Sequence, residues 1–126
     1  MTEPALPEDV LRFLDQRIET VPHLETLMIL WESGSAWDAG NMAVRIYLDP
    51  STAGAILRDL RHAGLAITTD EILFSYDGTW DHTRLMMARV AHTYRQNVAR
   101  VAMHIHGRGS SSVRKFARAF DMKKER

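Results

Sequence analysis

Apolar residues recur at helical spacing through most of the chain, and turn residues cut the pattern into short blocks. Val10, Leu11, Leu14 and Ile18 follow Pro7, Glu8 and Asp9, a first turn with proline where the amide needs no partner and acids at the positive dipole end. A second helix starts at Pro22, capped by Thr20 or Val21, and carries Leu24, Leu27, Met28 and Trp31 on one stripe. Gly34 ends it, because glycine accepts the left-handed conformation found after helices. Ser35 and Asp38 have the spacing of a capping box, with aspartate in place of glutamate or glutamine. The short helix behind them places Ala39, Met42, Ala43 and Ile46 inward.

Tyr47, Leu48 and Asp49 interrupt that helix, since Pro50 pushes the residue before it out of the α region. Asp49 then caps a fourth helix over residues 50–64, with Ala53, Ile56, Leu57 and Leu60 buried. Two β-rich pieces follow, 65–68 and 72–76, with Ile72, Phe74 and Tyr76 alternating onto one face and Thr69, Asp70 and Glu71 forming a tight turn between them. Asp77 and Gly78 signal another turn. Thr79 caps a long helix reaching residue 106. A short amphipathic helix over 111–120, bearing Val113, Phe116, Ala117 and Phe120, precedes a basic end.

Residues 38–65 are the most informative stretch. A short helix with small Ala43 in its middle, a tight turn and a longer helix closed by Gly64 form a helix-turn-helix. The segment resembles that of bacterial winged-helix transcriptional regulators of the MarR and ArsR groups. It is also similar to a set of proteobacterial winged-helix proteins that end in a short Arg/Phe-rich helix, as in Arg114, Lys115, Phe116, Arg118 and Phe120 here. The fold expected is mainly α with a small β-hairpin wing: a winged helix-turn-helix in residues 1–78, a long dimerisation helix in 79–107, and an amphipathic helix with a basic tail in 108–126.

The resemblance implies that the fourth helix enters the major groove of double-stranded DNA. Ser51, Thr52, Ala55, Arg58, Asp59 and His62 are then its outward positions. Ser51 and Thr52 suit bases or phosphate, Ala55 a thymine methyl, and Arg58 guanine. Arg45 and Arg61 are candidate phosphate contacts. On composition alone, these residues equally describe the polar face of any packed helix. The wing departs from the pattern: its tip is acidic, and carboxylates facing a phosphate backbone are repelled. Either the wing stays clear of DNA or the chain binds none.

Met87, Ala91, Tyr94, Val98, Val101 and Ile105 recur at alternating spacings of four and three, the seam of a coiled coil. Such a helix pairs with its twin in a homodimer, or folds back on helices 1 and 2 of its own chain.

The chain has 126 residues, 45% hydrophobic and 25% charged, with zero formal net charge. The balance hides a split: residues 1–50 hold nine acids and three arginines, while residues 51–126 hold thirteen bases and seven acids. A polyanion-facing half, two faces meeting across subunits, or a solvated surface all produce such a split. The absence of cysteine excludes disulfides and thiolate chemistry. The acidic, proline-broken N-terminus is unlike a secretory signal, and no apolar run approaches the roughly 20 residues of a membrane span. A cytoplasmic protein is expected.

No zinc site is expected from the histidines. Asp81 and His82 are adjacent where metal-sensing ArsR relatives need a spacing of two, and His104 and His106 point away from each other on a helix. No hydrolase, phosphate-loop or dinucleotide motif is present, and Asp70, Glu71, Asp77 and Asp81 fall in turns and caps. Binding without a cofactor, rather than catalysis, is the expectation. The tail helix packs on the dimer surface, or meets a protein partner or an anionic membrane. The rival to a DNA-binding regulator is a winged-helix module that regulates a protein partner.

Overall fold

The structure is a computed structural model describing residues 4–108. The tail helix expected over 111–120 lies outside the described residues. Four helices come first: α1 (Glu8–Arg17), α2 (Val21–Ser33), α3 (Ala39–Ile46) and α4 (Pro50–His62). The hairpin β1 (Ala66–Ile67) and β2 (Ser75–Tyr76) follows, then α5 (Met86–Gln96) and α6 (Val98–Gly107).

Local chemistry explains most boundaries. The Thr20 hydroxyl accepts the His23 amide to start α2, and Gly34 ends that helix at φ 62°. Asp38 and Asp49 cap α3 and α4, each accepting the amide three residues on. Asp38, rather than Ser35, is therefore the N-cap of α3, a correction to the capping-box reading. Trp37 instead stays extended and exchanges two backbone hydrogen bonds of 2.9 Å with Phe74. It thereby adds a short edge to the antiparallel hairpin, in which Ala66 faces Tyr76 and Ile67 faces Ser75.

α2 is central, with Leu24, Leu27, Met28 and Leu30 all buried. α1, α3, α4, α5, α6 and the hairpin contribute to the same core, through Leu14, Met42, Leu57, Phe74, Met87 and Ile105 among others. α3 and α4 pack closely at Gly54, where an added Cβ would lie 3.4 Å from that of Ala39. The small residue admitting the crossing is thus on α4 as well as on α3.

The long C-terminal helix differs from expectation at both ends of its first half. Asp77 binds the amide and hydroxyl of Thr79 within a turn, so Thr79 caps no helix. α5 begins only at Met86, and buried Asp81 reaches forward to accept the amides of Met86 and Met87 at 3.2 and 2.9 Å. Asn97 then divides the helix, with φ −143° and ψ 46°. Its side-chain amide donates to the Thr93 carbonyl at 3.0 Å, taking the acceptor a continuous helix would offer to the backbone amide.

The seam residues have a definite place. Met87, Ala91, Tyr94, Val101 and Ile105 are each at most 7% exposed within their own chain, whereas Val98 is 50% exposed. Ion pairs hold the same arrangement, Arg89 to Asp9 at 2.8 Å, Arg108 to Asp15 at 3.1 Å and Arg95 to Glu32, and His104 Nε2 lies 2.8 Å from Asp15 Oδ1. Arg108 donates to the Leu14 and Ile18 carbonyls. Basic α5 and α6 therefore meet acidic α1 and α2 inside one chain.

Candidate nucleic-acid interface

α4 owes its exposed face to its helical stripe. With Ala53, Ile56, Leu57 and Leu60 buried, Ser51, Thr52, Arg58 and His62 are exposed and Ala55 is half-buried between them. These five lie at offsets that share one helix face. The structure therefore brings together most of the base-reading residues expected from the sequence.

Several are already engaged. Asp49 accepts both the amide of Thr52, at 3.0 Å, and its hydroxyl, at 2.6 Å. The side-chain hydrogen bond from Thr52, then its amide, hold the Asp49 carboxyl below its ordinary value. Thr52 thus presents its methyl and hydroxyl oxygen outward rather than a free donor. His62 Nδ1 lies 2.7 Å from the Arg58 carbonyl oxygen. Arg58 folds back along the helix, its guanidinium 3.3 Å from where a Cβ on Gly54 would be.

Arg61 leans away from that stripe to the hairpin, where its guanidinium meets Glu71 at 3.1 Å. Arg45 is exposed at the last turn of α3, beside Val44 and Tyr47. Tyr47, 90% exposed and left-handed at φ 60°, stands out at the turn between the two helices. In the sequence it reads only as a helix breaker; its position two residues before the Asp49 cap is the one signal that marks it.

The wing tip is acidic without presenting two unengaged carboxylates. Asp70 accepts the amides of Ile72 and Leu73, each at 2.9 Å. Those backbone bonds, Leu73 first, hold its carboxyl below the ordinary value. Glu71, at φ 62°, turns to Arg61. Because Asp70 gathers the tip, the paired strands are only two residues each, and Ile72 is 63% exposed while Phe74, expected on the same face, is buried.

No protein-family model matches the sequence, and no curated protein does either. Two solved structures resemble the fold. One is a MarR family protein of Mycobacterium tuberculosis, Rv2887, at 20% identity and TM-score 0.54, with 94% of this chain and 85% of that one covered. The other, Rv1404 of the same organism, has 20% identity and TM-score 0.51, covering 92% and 80%. The likeness establishes the winged-helix fold. Among the described residues, no helix is long and apolar enough to cross a membrane.

Proposed function

We propose that this chain is a transcriptional regulator that binds double-stranded DNA as a homodimer and places α4 in the major groove. The observation that carries this reading is the uncovered stripe Ser51, Thr52, Ala55, Arg58 and His62 on the second helix of an intact helix-turn-helix. The fold likeness to a MarR family protein supports it. A role in binding rather than catalysis, in the cytoplasm, accords with this reading.

Five of the six seam residues are covered by their own chain, so pairing would use other apolar side chains. Val98, Met103 and Leu85, each 50–72% exposed, are the ones α5, α6 and the preceding turn offer.

A second reading rests on the Arg61–Glu71 pair, which withdraws a cation from the DNA side, and on the exposed apolar tip of Ile67, Ile72 and Leu73. In that reading the wing docks a protein partner. Genome-wide footprinting and mobility shift with the purified full chain separate the two. Sequence-selective, salt-dependent binding at physiological ionic strength supports the regulator; its absence ends that reading in favour of the protein-binding module.

A further inference from the structure

The junction of α1 and α2 faces the C-terminal end of α4 across a cavity of about 230 Å³. Three potential metal-ligand side chains converge there: Glu19, His23 and Asp59, with one ligand atom from each lying within 4.8 Å of the others. His23 is the anchor, at 7% exposure. Its Nε2 lies 2.8 Å from Asp59 Oδ2 and 3.7 Å from Glu19 Oε2. Its Nδ1 lies 2.6 Å from the Thr20 hydroxyl, which fixes the ring so that Nε2 points at the two carboxylates.

We propose that Glu19, His23 and Asp59 form a binding site for a divalent transition-metal ion of the zinc type. One imidazole and two carboxylates without a thiolate is a donor set for zinc, cobalt or manganese, and affinity for a given site rises from manganese through cobalt. Ligand atoms about 2.0–2.2 Å from such an ion lie about 3.3 Å apart when tetrahedral. The 2.8 Å contact must open slightly, the 3.7 Å contact close slightly, and the two carboxylates, within 4.8 Å of each other, draw together. The Asp59 side chain is 51% exposed, so it has room to turn.

The proton balance is simple. A neutral imidazole carries one N–H: when the metal takes Nε2, that proton moves through solvent to Nδ1, whose N–H then donates to the Thr20 hydroxyl, with no net release. An imidazole held by an outer hydrogen bond in this way is the usual arrangement of a metal-binding histidine. Three protein ligands leave a fourth position for water. His62 lines the same cavity, as does Arg17, whose guanidinium donates to the Ala63 carbonyl and stacks over Trp80 at 5.7 Å.

No local spacing announces this set, because Asp59 lies 36 residues beyond His23 and only the fold joins them. Asp59 directly follows Arg58 on the exposed helix. The ion would therefore tie the α1–α2 junction to the residue beside the proposed base reader.

The test uses the untagged full chain, stripped with a chelator and titrated with Co²⁺ while the visible d–d absorption is followed, then with Zn²⁺ in competition. One ion per chain, displaced by zinc, with a raised melting temperature, is expected. Asp59→Asn and Glu19→Gln keep the shape of the site, and each should weaken binding about tenfold or more. His23→Gln should abolish the absorption band. Saturable binding that survives all three changes would place the ion elsewhere and overturn the proposal. So would an absence of saturable binding, which leaves His23 and Asp59 as a structural tether. No DNA is used, so the outcome is independent of whether the chain reads DNA.

Discussion

Glu71, at the tip of the hairpin, pairs with Arg61 near the end of α4 at 3.1 Å, with the two side chains 59% and 40% exposed. The acid read as a repellent to phosphate and the cation read as a phosphate contact are partners. An exposed pair of this kind contributes about 0–1 kcal/mol, so in the proposed complex DNA phosphate would compete readily with Glu71 for Arg61. Glu71→Gln should therefore leave the melting temperature nearly unchanged and tighten DNA binding. The logarithmic salt dependence should steepen by about one ion. Fluorescence anisotropy across a salt series measures both; an unchanged slope would mean that Arg61 does not touch the backbone.

Arg58 is exposed and folds its guanidinium back over buried Gly54. Arg58→Ala should change stability by no more than about 0.5 kcal/mol. It should weaken specific DNA binding by about 1–3 kcal/mol and relax preference at one base pair. Equal binding by parent and variant on every sequence would remove Arg58 from the reading surface.

Val98 and Val101 stand three residues apart with opposite fates, 50% and 1% exposed. Val101→Asp buries a charge without a partner and should unfold the chain or cost several kcal/mol. Val98→Asp should leave the melting temperature near that of the parent. If α6 pairs with a second copy through Val98 and Met103, light scattering of Val98→Asp should show a folded monomer. An unchanged dimer would place the interface on another face.

Asp81 is 7% exposed and caps α5 from outside the helix. Asp81→Ala leaves the Met86 and Met87 amides without their acceptor and should lower stability by about 1–2 kcal/mol in urea denaturation. Thr79→Ala, which alters only the Asp77 turn, should stay within about 0.5 kcal/mol. A larger loss for Thr79 than for Asp81 would contradict this assignment of the cap.

Burial, followed by the Glu25 charge, pushes the Tyr94 phenol up to about 12; burial and then Asp81 do the same for Tyr76, also to about 12. Each phenol holds its proton more tightly folded than unfolded. Stability from this source is thus complete below pH 10 and falls as pH rises toward about 12. Absorbance titration of tyrosinate in the folded chain should show two of the three tyrosines ionising well above pH 10. Ionisation of all three near 10 would contradict their burial.

Much of the fold is legible in the order of residues alone. Thr20, Asp49 and Gly34 mark helix ends because capping joins residues only a few positions apart, which a sequence displays directly. The same holds for the stripe Ala53, Ile56, Leu57 and Leu60, which assigns the outward positions of α4 by elimination. The candidate interface is legible to that extent. Its electrostatics are not, because Arg61 finds Glu71 only when the hairpin folds back toward α4.

The tertiary structure decided what covers each apolar face. A spacing of four and three says that Met87, Ala91, Tyr94, Val101 and Ile105 are buried; it does not distinguish a partner helix from the chain's own α1 and α2. It also decided where the charges meet. The acidic first half and basic second half allow three readings by count, and Arg89 on Asp9, Arg95 on Glu32 and Arg108 on Asp15 pair them within one chain. Periodicity and capping act over a few residues and are written in order along the chain. Charge pairing and burial act across space, between positions as distant as Asp9 and Arg89, and only the folded chain brings them together.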